Sequence, residues 1–133
     1  MVNGDKTSGT PNSLGRLGED TACTFLTGKG YRIITRNFRC RVGEIDIIAA
    51  KGEYVVFVEV KLRKSDTYVS AAEYVTRSKQ RKIKLAAGYW LNYAEDRLGL
   101  AAEPQPRFDV IEIYAPDGAE GLLTVNHIEN AFM

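Results

Sequence analysis

The chain has 133 residues, 44% of them hydrophobic and 26% charged, with a formal net charge of +1. That length suits one domain with a core of its own, and no apolar stretch approaches the length of a membrane-spanning helix. The first residues lack the apolar centre of a signal peptide, and Cys23 and Cys40 are too few for a disulfide scaffold, so reduced thiols in a cytoplasmic protein are expected. His127 is the single histidine, which leaves a zinc site without partners and assigns the ring to packing.

The total charge hides an asymmetry. Residues 29–84 hold 14 basic and 6 acidic side chains, a net of +8, whereas residues 85–133 hold 2 basic and 8 acidic, a net of −6. A polyanion is expected on the first part. Its positive charge is concentrated in "KGYRIITRNFRCR" at 29–41 and "RSKQRKIK" at 77–84. Neither run contains an acid. Such runs are ordinarily solvated faces, but two of them flanking one acidic cluster suit phosphate contact.

In chain order, residues 1–12 read as a flexible tail and 13–133 as a single domain. Asn12 or Ser13 caps a helix over about 14–27, with Leu14, Leu17, Thr21, Phe25 and Leu26 on its apolar stripe and Gly28 and Gly30 ending it. Strands are predicted over 31–39 and 43–50, then 54–62 after a turn at Lys51–Gly52. Val55 to Val60 is almost continuously apolar, the mark of a strand covered on both faces. Ser70–Glu73 matches a capping box. Helical periodicity then runs from Thr76 to about Asp96, with Ile83, Ala86, Ala87, Trp90, Leu91 and Ala94 on one face. Strands over 107–115 and 122–128 close the chain. The order α-β-β-β-α-β-β implies an α/β fold, a mixed central sheet of about five strands flanked by helices.

Within the third strand, Glu59 and Lys61 share a face, roughly 7 Å apart along the chain. A two-residue loop at Lys51–Gly52 would pair Ala50 with Glu53, set Asp46 opposite Phe57 and bring Glu59 one diagonal step away, with Glu44 directly opposite Glu59. A three-residue loop would reverse the faces. Close carboxylates repel unless a cation intervenes. An oxygen pair of this kind suits Mg²⁺, with Mn²⁺ as a substitute, and the adjacent lysine can neutralise a phosphate or hold a water. These parts suit phosphodiester hydrolysis; the chain has no GxSxG, no P-loop and no His/Cys constellation.

"GRLGED" at 15–20, "NFRCRVGEIDIIA" at 37–49, "FVEVKLR" at 57–63, "RFDVIEI" at 107–113 and "HIENAF" at 127–132 together resemble the YraN-like family of predicted nucleases. The resemblance runs from about Leu14 to the C-terminus. It implies membership of the PD-(D/E)xK superfamily, with a restriction-endonuclease-like core similar to Holliday-junction resolvases. It further implies Asp46 and Glu59 as metal ligands joined by the Val60 carbonyl, Lys61 as the catalytic lysine and Glu19 as an additional helical acid. Ile45 stands where the superfamily name has a proline. Gln80 would orient Lys61 or a water if it points inward, and is otherwise a solvated side chain.

Other residues carry plainer alternatives. Glu19 could instead serve the first turn of its helix, Glu44 could pair with Arg39 or Arg41, and Asp109 fits a structural ion pair with Arg107. Tyr89, Trp90 and Tyr93 could stack bases, although the spacing of Trp90 fits the core. The expected function is a metal-dependent nuclease acting on DNA, branched or single-stranded, with Arg36, Arg39, Arg41, Lys79 and Lys82 on the backbone. Cutting both strands of a junction would take a homodimer. The rivals are a non-catalytic nucleic-acid-binding protein on the same fold and a structural or partner-binding protein.

Overall fold

The computed structural model describes residues 11–64, 75–94, 100, 103–118 and 121–133. Helix α1 (Pro11–Gly28) leads into strands β1 (Arg32–Cys40), β2 (Gly43–Lys51) and β3 (Tyr54–Arg63), and helix α2 (Arg77–Tyr93) precedes β4 (Gln105–Tyr114) and β5 (Thr124–Phe132). The five strands form one sheet in sequence order, β1-β2-β3-β4-β5. The β3–β4 pair is parallel and the other three are antiparallel. The α/β layout expected from the sequence is the one observed.

The strong apolar run of β3 is buried on both sides, as its composition requires. Val55 and Phe57 join Ile83, Ala86, Ala87 and Trp90 of α2 in one cluster. Val56 and Val58 join Ala22 and Leu26 of α1 in the other, with Ile111 and Ile113 of β4. One helix therefore covers each face. No helix among the described residues is long and apolar enough to cross a membrane.

Several boundaries differ from the sequence expectation. Helix α1 begins at Pro11, so the end of the expected 1–12 tail is helical; residues 1–10 lie outside the described residues. The Ser70–Glu73 capping box also lies outside the described residues. Thr76 caps α2, its hydroxyl accepting from the Lys79 N–H, and Ala94 ends the helix before Asp96. Strand β5 continues to Phe132, four residues beyond expectation. The register slips between Phe108 and Val110, Asn130 adopts φ 53°, and its N–H turns to the Asp109 carboxylate. A local bulge, which asparagine tolerates, thus carries the strand past the point where its alternation fails.

The β2–β3 turn is displaced by one residue. Lys51 pairs with Tyr54 and Ala50 with Val55, which makes Gly52–Glu53 the loop. Gly52 has φ +58°, and hairpins of this length favour glycine at the first central position. Partner positions consequently shift by two, which preserves the facing of every side chain. Asp46 therefore comes level with Glu59 rather than Phe57, and Glu44 is no longer opposite Glu59.

Candidate active site

The β2–β3 ladder stops at the Ile47–Val58 pair. Beyond it the strands part, and the change is visible in the packing: Ile47 lies in the α1 cluster whereas Ile45 lies in the α2 cluster. Two residues apart on a regular strand would share a face. Strand β2 therefore twists at Asp46, in the mouth of the fork. The Asp46 carboxylate accepts the Val60 N–H at 2.8 Å, a side chain closing a rung that backbone no longer closes. Because a strand residue presents its N–H and C=O to the same edge, the Val60 carbonyl is directed into this fork as well.

A cleft of about 300 Å³ occupies the fork, and its walls include Gly18, Glu19, Glu44, Asp46, Glu59, Val60, Lys61 and Lys79. Gly18 of α1 faces the strand end: a Cβ there would lie in ordinary contact, 3.8 Å from the side chains of Val60 and Leu62. Glu59 is 6% exposed. Its carboxylate is paired with the Lys79 ammonium from the first turn of α2 and lies 4.0 Å from Lys61 Nζ. Burial, and next the facing Glu59 charge, push the Asp46 carboxyl up to about 7; Glu19 adds to this, while the Val60 N–H and Lys79 oppose it. A carboxylate raised largely by desolvation and a second acid is short of positive charge.

The structure thus brings Glu19, Asp46, Glu59, Val60 and Lys61 to one cleft. Glu19 sits in the middle of α1, whose first turn holds no acid, so the helix-dipole reading of this residue does not apply. It does not bring Gln80 there: the side-chain amide donates to the Val75 carbonyl at 2.8 Å, tying α2 to the chain before it. The inward position on that helix belongs to Lys79. The sequence placed Lys79 among the backbone contacts; what marked it was its position one turn into the helix, three residues after the Thr76 cap.

Among the described residues, no group of three or more His, Cys, Asp or Glu side chains is arranged to hold a metal. The donor set is smaller: two carboxylates and a backbone carbonyl. A hard cation that keeps several waters takes one or two carboxylates, so Asp46, Glu59 and the Val60 carbonyl fit Mg²⁺ in donor type and number.

The five cations expected on nucleic acid divide. Arg39, Arg41, Lys79 and Lys82 line a groove of about 580 Å³ that adjoins the cleft through Glu44 and Lys79. Arg39 lies 3.6 Å from Glu44 across an exposed pair. Arg36 points elsewhere, bonded to Asp20 at 2.7 Å and 3.7 Å from Glu19; it clamps β1 to α1. On β4, where it pairs with Val58 of β3, Asp109 is fully buried and receives Arg107, His127 and the Asn130 N–H. Lys29 Nζ stands 2.9 Å from His127 Nδ1, so the ammonium donates there and the ring's Nε2–H faces Asp109. The expected Arg107–Asp109 pair is present, and the histidine packs within it.

The sequence profile of the uncharacterised protein family UPF0102 matches residues 18–113. A UPF0102 protein of Symbiobacterium thermophilum is 48% identical over 120 residues, covering 90% of this chain and 95% of its own. One from Caldicellulosiruptor saccharolyticus is 44% identical over 119 residues, covering 90% and 96%. One from Chlorobium phaeobacteroides is 46% identical over 126 residues, covering 92% and 96%. The fork, its acids and both basic runs lie within the matched span, and the chain belongs to the UPF0102 (YraN-like) family.

Proposed function

We propose that the protein is a Mg²⁺-dependent nuclease of the PD-(D/E)xK type, acting on DNA in the cytoplasm. The observation that carries this reading is the meeting of Asp46 and Glu59 in a fork between two core strands, with Lys61 beside them and a basic groove leading in. Asp46, Glu59 and the Val60 carbonyl would hold the ion. A divalent cation bound there supplies Lewis-acid activation of water and stabilises charge developing on phosphate oxygens. Lys61, held beside Glu59, neutralises a non-bridging oxygen and orients the attacking water. Arg39, Arg41 and Lys82 contact the backbone without reading bases. Glu19 holds Arg36 and adds negative charge at the cleft wall. A pair of copies would be needed to cut both strands of a junction.

The Lys79–Glu59 ion pair favours a second reading, a non-catalytic nucleic-acid-binding protein in which a lysine substitutes permanently for the ion. A cleavage panel of duplex, single-stranded, flap and four-way-junction DNA with Mg²⁺ or Mn²⁺ separates the two. Cutting that Asp46→Ala and Lys61→Ala abolish while DNA binding persists supports the enzyme; wild-type binding without cutting of any substrate supports the second reading.

A further inference from the structure

The basic groove does not end at Lys82. On α2, Lys82, Leu85, Tyr89 and Tyr93 follow one another at spacings of three or four residues and so form a single stripe along the helix. The stripe flanks the buried face formed by Ile83, Ala86, Ala87 and Trp90. Its members stay in solvent: Leu85 is 53%, Tyr89 49% and Tyr93 70% exposed. Trp90, the third aromatic of this turn, is fully buried against Phe57, so the core does not need the tyrosines.

The rings nevertheless pack against one another. Tyr89 and Tyr93 stand 5.1 Å apart between centroids, and Phe38 of the edge strand β1 lies 6.4 Å from Tyr89 with its plane tilted by 32°. Phe38 immediately precedes Arg39, one of the groove cations. Positive charge at one end and open aromatic faces at the other therefore occupy one continuous track. From Lys82 to Tyr93 it extends about 16 Å at the helical rise, the length of roughly five stacked nucleotides.

We propose that Tyr89 and Tyr93 form a stacking platform for unpaired bases, so that the preferred ligand carries a single-stranded segment whose backbone continues into the Arg39–Arg41–Lys82 groove. The proposal rests on the nucleic-acid reading of the neighbouring cleft and names the substrate class for it. Duplex DNA keeps its bases inside and offers the rings little; an unpaired strand presents a π-face at every base. A second copy of this chain is the poorer occupant. Its matching track carries Arg39, Arg41, Lys79 and Lys82 with Glu44 and so offers the groove no net negative charge, whereas a nucleic-acid backbone offers one at every phosphate.

The test measures binding apart from cleavage. Anisotropy titrations of a fluorescein-labelled oligo-dT 15-mer and a 15-bp duplex are run in EDTA at low salt. They compare wild type, Tyr89→Ala/Tyr93→Ala and Tyr89→Phe/Tyr93→Phe, with thermal melts to verify folding. The alanine pair should weaken oligo-dT binding ten- to hundredfold and duplex binding less than twofold, while the phenylalanine pair stays within twofold of wild type. Unchanged oligo-dT affinity in a folded alanine pair overturns the platform, and so does equal loss on both probes. Sedimentation showing a wild-type dimer that the alanine pair converts to monomer assigns the stripe to self-association and overturns it too. If metal-dependent cutting fails while ring-dependent oligo-dT binding holds, the nuclease reading falls and the platform stands. Wild type that binds neither probe removes both.

Discussion

Lys79 in the first turn of α2 and Glu59 in the middle of β3 form an ion pair at the back of the cleft. Glu59 is almost fully buried whereas Lys79 is 42% exposed. The lysine therefore supplies the charge that a buried carboxylate needs and, being partly solvated, can also withdraw.

Removing that charge should expose the demand for it. In Lys79→Gln, Glu59 retains only the more distant Lys61, and the protein should lose about 1–2 kcal/mol of stability, less than a fully buried pair would because Lys79 is partly in water. Millimolar Mg²⁺ should then raise the melting temperature more in the variant than in wild type. Thermal melts with and without Mg²⁺ check this; equal shifts in both proteins would show that Lys79 and the ion do not share Glu59.

Asp46 makes a prediction of opposite sign. Its folded value, about 7, lies above the 3.8 of a free side chain. Protonation therefore favours the folded state, and this contribution is complete below about pH 3.8 and lost as pH rises to about 7. Asp46→Asn keeps an oxygen to accept the Val60 N–H. It should be more stable than wild type at pH 7.5, by about 1–3 kcal/mol after allowance for partial exposure, with the gap closing by pH 4. Urea titrations across that range read the difference directly.

Asp109 behaves in the reverse way. Burial would raise it, but hydrogen bonds from His127, Arg107 and the Asn130 N–H overcome that and hold it below the ordinary carboxylate value. Its contribution is present above the unfolded value and is lost as pH falls through the lowered folded one. Asp109→Ala strands Arg107 and His127 and should lower stability by about 3–5 kcal/mol at neutral pH. It should also flatten the acid limb of the stability profile, measured by denaturation between pH 2 and 6.

Gly43 sets how closely α2 approaches the β1–β2 hairpin. A Cβ on it would meet the Lys82 carbonyl oxygen at 2.8 Å. That is backbone and cannot swing aside. Gly43→Ala should cost about 1–3 kcal/mol through overpacking, and it should weaken oligonucleotide binding by displacing Lys82 from Arg39 and Arg41. Melting and anisotropy together separate this from a simple charge loss, since the variant keeps every cation.

Much of this is legible in the sequence. Alternation and turn residues located five strands and two helices, and the doubly apolar run of β3 announced a strand between two layers. The sequence sets Asp46 opposite Phe57 and one diagonal step from Glu59; the turn lies one residue further on, and the two acids still share a face because a shift of two partners leaves every side chain on its own face. Less legible was anything governed by contacts distant in sequence. Arg36 belongs to the same basic run as Arg39, yet Asp20 captures it because α1 lies over that part of β1. Gln80 and Lys79 are adjacent, and a helical stripe alone could not say which of them would meet Glu59. Strand β5 outran its apolar pattern because one Asn130 N–H found Asp109, a partner 21 residues away.

The parting of β2 from β3 divides the cleft into walls of unequal stiffness. Glu59 and Lys61 stand on a strand hydrogen-bonded to β4 along its whole length, whereas Asp46 rides on a hairpin arm released from β3 beyond Ile47. One acid is an anvil and the other a jaw. Any widening of the gap between them falls to the β2 arm, and it would be reported by faster amide exchange at residues 40–46 than along β3 and β4.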